Sequence, residues 1–178
     1  MNKGKSVKFS KNVGKILIPV LIFAAIGAIW YFKNFNKTPI VKEDNPSFAL
    51  HVTDSLDLEE LKSYGLPIMI DFGADSCIPC KEMAPVLVEL NKELRGKAII
   101  KFVDVWKYQS VGEGYPISVI PTQVFFDKEG KPYTPKDLEA SQMQIYSLKE
   151  TKEHVFTSHE GGMTKEQILA VFKEMGVE

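Results

Sequence analysis

The chain has 178 residues, 44% of them apolar and 25% charged, with a net charge of −1. Those figures suit one globular domain with an appendage and exclude disorder over most of its length. The charge is unevenly placed. Residues 1–37 carry seven lysines and no acid, whereas residues 38–178 carry 15 basic residues against 23 acids, a net of −8. The acidic part argues against nucleic acid, which asks for a positive face. Two cysteines make neither a disulfide framework nor a four-ligand zinc site.

Residues 1–15 are basic, with Lys3, Lys5, Lys8, Lys11 and Lys15. Residues 16–32 (ILIPVLIFAAIGAIWYF) are uncharged over 17 positions, the short end of what spans a bilayer as a helix. Trp30 and Tyr31 close the run, where amphipathic rings favour the membrane interface. Five lysines before it and two after it, Lys33 and Lys37, predict a cytoplasmic amino terminus and an extracytoplasmic remainder. A cleaved signal peptide and a buried core helix are the competing readings. The expectation is therefore a single-pass anchor in the cell membrane, followed by a polar linker over 33–46 and a domain over 47–178.

Within that domain, residues 47–52 read as a short edge strand. Asp54 or Ser55 is expected to cap a short helix that Gly65 stops. Residues 67–72 (PIMIDF) form an apolar run of the kind found in buried strands. A long helix is expected over 77–94, with Met83, Val86, Leu87, Leu90 and Leu94 on one face. Residues 98–105 read as a second buried strand, 107–118 as irregular or weakly helical, and 122–126 as a third strand. Residues 128–131 read as a hairpin turn. Residues 132–152 are polar and ambiguous, 154–158 look like a last strand, and Thr164 with Gln167 starts a final helix as a capping box. Strands alternating with helices, then a terminal hairpin, predict an α/β fold with a mixed sheet covered on both faces.

Both cysteines lie in Cys77-Ile78-Pro79-Cys80, at a strand-to-helix junction. The free N–H groups and dipole of a helix start favour a thiolate, the nucleophile of disulfide exchange. Cys80 stands one turn later, close enough to resolve a mixed disulfide formed on Cys77. Pro79 fits a first helical turn because it lacks an N–H, and Ile78 keeps the loop apolar. Two ordinary buried thiols, or a metal site completed by a histidine, are the bland alternatives. His51, His154 and His159 have no ligand spacing and read as surface or strand-end residues. Trp106 reads equally as a border of the site or as core.

The stretch from Met69 to Pro85 (MIDFGADSCIPCKEMAP) resembles the active-site region of the thioredoxin family, and the likeness covers roughly residues 47–178 apart from an extra segment. The resemblance implies a thioredoxin fold and a protein-disulfide reductase activity with Cys77 as nucleophile and Cys80 as resolving thiol. It implies that Asp71 is the buried acid beneath the site, with a raised pKa and a general-base role toward Cys80. Pro85 matches the kink proline of the long helix. Residues 119–122 (VIPT) resemble the loop whose cis-proline faces the cysteines, which places Ile120 and Pro121 with Ile78 and Pro79 in substrate binding. Gly161-Gly162 resembles the glycine site before the last helix. Ser76 stands where the family often has Trp, Ile78 where it often has Gly, and Gly73 where an aromatic is common. Residues 132–153 exceed the expected hairpin and read as an insertion. In it Tyr133, Met143 and Tyr146 are candidates for touching a partner, or the segment covers the sheet edge.

The leading expectation is a membrane-anchored reductase of extracytoplasmic protein disulfides, a monomer without metal or cofactor, rereduced by a membrane electron carrier. A disulfide oxidase or isomerase uses the same motif at another potential. A non-catalytic binding module on the same fold is the third possibility.

Overall fold

The computed structural model describes residues 45–178, together with Ile22, residues 24–27 and Ile29, which are helical and exposed. The basic amino terminus, the rest of the expected anchor and residues 33–44 of the linker lie outside the described residues. Among the described residues no helix is long and apolar enough to cross a membrane. The chain divides into two units, Met1–Thr38 and Pro39–Glu178, and the second holds the elements below.

A short 3-10 turn at Pro46–Phe48 opens the domain. The elements then run β1 (His51–Val52), α1 (Leu58–Ser63), β2 (Ile68–Gly73), α2 (Ile78–Glu93), β3 (Ile99–Asp104), α3 (Gln109–Gly112), β4 (Thr122–Phe126), α4 (Leu138–Ser141), β5 (Met143–Ser147), β6 (His154–Glu160) and α5 (Lys165–Glu174). The sheet order is β1-β3-β2-β4-β6-β5. β2 pairs in parallel with β3 and antiparallel with β4. Its six residues are all buried, as are those of β3 and β4. Unbroken apolar runs are tolerable only where both faces are covered. Side chains alternate across a strand. Ile68, Ile70 and Phe72 therefore pack with Leu61, Val103, Val124 and Phe126 on one face. Met69 packs on the other face with Met83, Leu87 and Leu90 of α2 and Ile168 and Phe172 of α5. Each such side chain contributes roughly 1.5–3 kcal/mol by leaving water. The same alternation puts Asp71 on the α2 face.

Several expectations are corrected. The strand expected over 47–52 shrinks to two residues, because Asn45 Oδ1 accepts from the Ser47 N–H at 2.9 Å and turns the chain. The first helix is capped by Asp57, whose Oδ1 accepts from the Glu60 N–H, rather than by Asp54 or Ser55. The turn after β4 forms, with Asp127 Oδ1 accepting from the N–H groups of Glu129 and Lys131. The polar segment beyond it carries a strand that its composition hides: β5 pairs antiparallel with β6 and becomes the sheet edge. Within it Tyr133 and Met143 are core residues, 5% exposed each, rather than partner contacts, while Tyr146 is half-buried.

Candidate active site

The sheet ends and the helix begins within five residues. β2 stops at Gly73, and the Cys77 N–H donates to the Ala74 carbonyl at 3.0 Å, closing the turn. Cys77 is the N-cap of α2, yet its side chain caps nothing. Its sulfur is thereby left free to face outward. Pro79 falls in the first turn, where a missing N–H costs no bond. Cys77 is half-buried, Ile78 is 72% exposed, and Cys80 is 3% exposed. Both cysteines are free thiols.

The loop before β4 closes over this corner. The Ile120–Pro121 peptide is cis. The Cys77 thiol lies 3.8 Å from the Ile120 carbonyl oxygen. Thr122 Oγ1 donates to the Val119 carbonyl at 2.7 Å, and the Gly161 N–H donates to the Pro121 carbonyl at 2.8 Å. Ile78, Val119 and half-buried Ile120 therefore rim the accessible sulfur, while Pro121 is buried beneath them. The seven residues marked out in the sequence fall into two places: Cys77, Ile78, Pro79 and Ile120 at the rim, and Cys80, Asp71 and Pro121 below it.

Asp71 is fully buried, and Gln123 Nε2 donates to its Oδ1 at 2.8 Å. Its Oδ2 is buried with no hydrogen-bond partner. Burial pushes the carboxyl up to about 7, although the Gln123 bond favours the charged form. Cys80 is pushed up to about 12, first by burial and then by its hydrogen bond with Cys77, with the Asp71 charge adding to the rise. Asp71 is near enough for its charge to be felt at the Cys80 thiol. Among the described residues no group of three or more His, Cys, Asp or Glu is placed to hold a metal ion.

Three functional features are not visible in the sequence pattern. Gln123 stands there only as part of a strand, although a polar residue in a buried run is the informative exception. His159, expected as a surface or strand-end residue, is 5% exposed and bonded to Gln123. It is buried because β5 covers β6 on the outer side. The third is Asp104, at the end of β3, which accepts from the N–H groups of Asp75, Trp106 and Lys107. Burial opposes its charge, but those N–H groups outweigh it and hold the carboxyl below its usual range. Asp104 thus fastens the turn before Cys77 to the loop bearing Trp106, which is 59% exposed.

Gly73 has a packing reason. A Cβ there would stand 2.9 Å from the Phe102 ring and 3.1 Å from Cys80 Sγ. Phe102 fills the space a larger residue at position 73 would need. Gly73→Ala is expected to cost about 1–3 kcal/mol by overpacking, read as a lower urea midpoint. An unchanged midpoint would show that the ring moves aside freely.

A central mixed sheet flanked by helices, with a dithiol at a helix start facing a cis-proline loop, defines a thiol–disulfide oxidoreductase. A model of the family Thioredoxin matches residues 49–151, more than half of the chain, and the chain belongs to that family. The thioredoxin of Rickettsia felis is 35% identical over 100 residues, 56% of this chain and 91% of that one. Chloroplastic thioredoxin Y of Oryza sativa is 38% identical over 74 residues, 42% of this chain and 44% of that one. The crystal structure of chloroplastic thioredoxin z is 21% identical, with a TM-score of 0.46, covering 73% of this chain and 98% of that chain.

Proposed function

We propose that this chain is a membrane-anchored reductase of disulfides in extracytoplasmic proteins. The observation that carries the redox part is the unequal pair: a reachable Cys77 at the helix cap and a buried Cys80 one turn deeper. The Cys77 thiolate attacks a substrate disulfide, forming a mixed disulfide and releasing one substrate thiolate. Cys80 then gives its proton to Asp71 and attacks Cys77 Sγ. The second substrate thiolate leaves, and the Cys77–Cys80 disulfide remains. Two electrons have passed from the dithiol to the substrate. A membrane electron carrier must return them if the domain lies outside the cytoplasm. The anchor rests on the apolar run over 16–32 and its lysine asymmetry.

Two measurements on the full chain test this. Equilibration in graded thiol buffers is expected to give a potential near or below about −250 mV. A value of about −120 to −180 mV would mark an oxidase or isomerase instead. In intact cells, a membrane-impermeant thiol reagent is expected to label Cys77 from outside. Labelling only after lysis would overturn the assigned topology.

A further inference from the structure

Two polar side chains that no step above employs stand behind Asp71. Gln123 on β4 is the register partner of Asp71 on β2, and His159 on β6 is the register partner of Gln123. Residues directly opposed on neighbouring strands share a face, so the three side chains line up across the sheet. Gln123 Nε2 donates to Asp71 Oδ1 at 2.8 Å, and His159 Nδ1 stands 3.0 Å from Gln123 Oε1. Asp71 and Gln123 are wholly buried, and His159 nearly so. Polar groups placed so deep are tolerated only when bonded.

The chemistry gives the line a direction. An amide has one donating end and one accepting end. With its N–H on the carboxylate, its oxygen is left for the ring, so His159 donates from Nδ1. Burial holds the imidazole below its ordinary pKa, although a backbone hydrogen bond at Gly161 works the other way, and in the neutral ring it is the Gln123 oxygen that selects the tautomer with hydrogen on Nδ1. Turning the amide over would set its oxygen against a carboxylate and its N–H against an N–H. His159 thereby locks Gln123, and Gln123 engages one oxygen of Asp71 while Oδ2 has no partner.

The surroundings are otherwise largely apolar. β3 presents Phe102 as the register partner of Asp71, and α2 presents Cys80, with Cys77 beyond it, and Met83, whose sulfur lies 3.6 Å from Gln123 Nε2. His159 faces Met143 of β5, feels the adjacent Glu160, and borders a surface cavity with Tyr133, Asp137 and Glu174.

We propose, on the redox reading of the dithiol, that Gln123 and His159 are positioning residues that hold Asp71 so that its Oδ2 takes the Cys80 proton. In that step the Cys80 S–H bond breaks and an O–H bond forms at Oδ2. The electron pair left on sulfur attacks Cys77 Sγ. Gln123 stabilises the carboxylate form needed to accept the proton, and His159 keeps the amide from turning.

The test loads Cys77 of the full chain with Ellman's reagent and follows, by stopped flow from pH 5 to 9, the second release of coloured thiolate that marks attack by Cys80. The wild-type rate is expected to inflect near pH 7, where Asp71 titrates. Loss of a hydrogen bond to a charged group in Gln123→Leu is expected to move that inflection up by about one pH unit, slowing release at pH 7 several-fold to tenfold. His159→Phe is expected to move it less but in the same direction. His159→Asn, which returns an N–H to the same place, is expected to move it back. In an Asp71→Asn background, Gln123→Leu is expected to change the profile no further. A folded Gln123→Leu with an unmoved inflection overturns the positioning role. So does equal behaviour of His159→Phe and His159→Asn, which carries the test if Gln123→Leu does not fold. A wild type with no second release takes down the redox reading and the proposal with it. A normal wild type with unmoved variants takes down the positioning role alone.

Discussion

Exchange of Cys77 for serine is expected to lower disulfide reduction by at least about 10³-fold, whereas Cys80→Ser is expected to make the first attack normally and stop at the mixed disulfide. The asymmetry follows from where the two sulfurs sit. Cys77 is the sulfur that a protein substrate can reach, between exposed Ile78 and the 119–121 loop. Cys80 cannot take its place, because it is 3% exposed and burial pushes its thiol up to about 12. A serine hydroxyl at position 77 supplies no anion near neutral pH and leaves the substrate disulfide intact. Insulin reduction with a dithiol as electron source measures the turnover. Mass spectrometry without reductant measures the trapped species. Cys80→Ser should gain the mass of one substrate thiol, and Cys77→Ser should not. Equal trapping by both variants would reverse the assigned order of attack. Full turnover by Cys77→Ser would show that Cys77 is not the attacking thiol.

The parts of the fold that are legible in the sequence are those dictated by local rules. Cys77 and Cys80 sit between an apolar run and a 3.6-residue stripe, and that context alone marks a strand-to-helix turn. Thr164 and Gln167 form the capping box that their spacing predicts. β5 is not legible, because an edge strand is paired on one side and exposed on much of its surface. Gln144 and Ser147 face solvent, and only Met143 is buried. Nothing in such a segment shows the period of a half-buried strand clearly enough to separate it from a loop.

That hidden strand has a consequence at the site. With β6 as the sheet edge, His159 would have one flank open to solvent. β4 sets His159 in register with Gln123, and β5 covers its other flank with Met143, so that it becomes an interior residue. Residues far apart in sequence, 71, 123 and 159, meet only through strand register, which no local pattern encodes. Asp104 is hidden for a similar reason. Its three N–H partners come from two loops, and the sequence shows merely an acid at the end of a strand. The dithiol can be read from the residues, whereas the buried polar groups around it require the folded sheet.

The second large effect expected is one of stability. Relative to wild type, Asp71→Asn should gain on the order of 4 kcal/mol between pH 4 and pH 8. The carboxyl is pushed from 3.8 to about 7 by burial, and each unit of such a shift is worth about 1.4 kcal/mol. Between those two values the folded chain holds a proton that the unfolded chain has released. Wild-type stability must therefore fall as pH rises from about 4 to about 7, and level off above it. Asparagine carries no such titration and keeps an oxygen for the Gln123 N–H. Its second amide hydrogen pair lies where Oδ2 has no partner, which costs about 1–3 kcal/mol at every pH. That cost lowers the whole variant curve without changing its slope. Urea unfolding at pH 4, 6 and 8 measures the difference, and a difference that does not vary with pH would show that Asp71 titrates in the fold as it does in water. If Asp71 accepts the Cys80 proton as proposed, the same substitution should also slow attack by Cys80. On the proposed proton transfer, a carboxyl kept without full compensation in the core is the cost of making a buried thiol reactive. Its stabilising replacement is expected to be found only where that reaction is no longer needed.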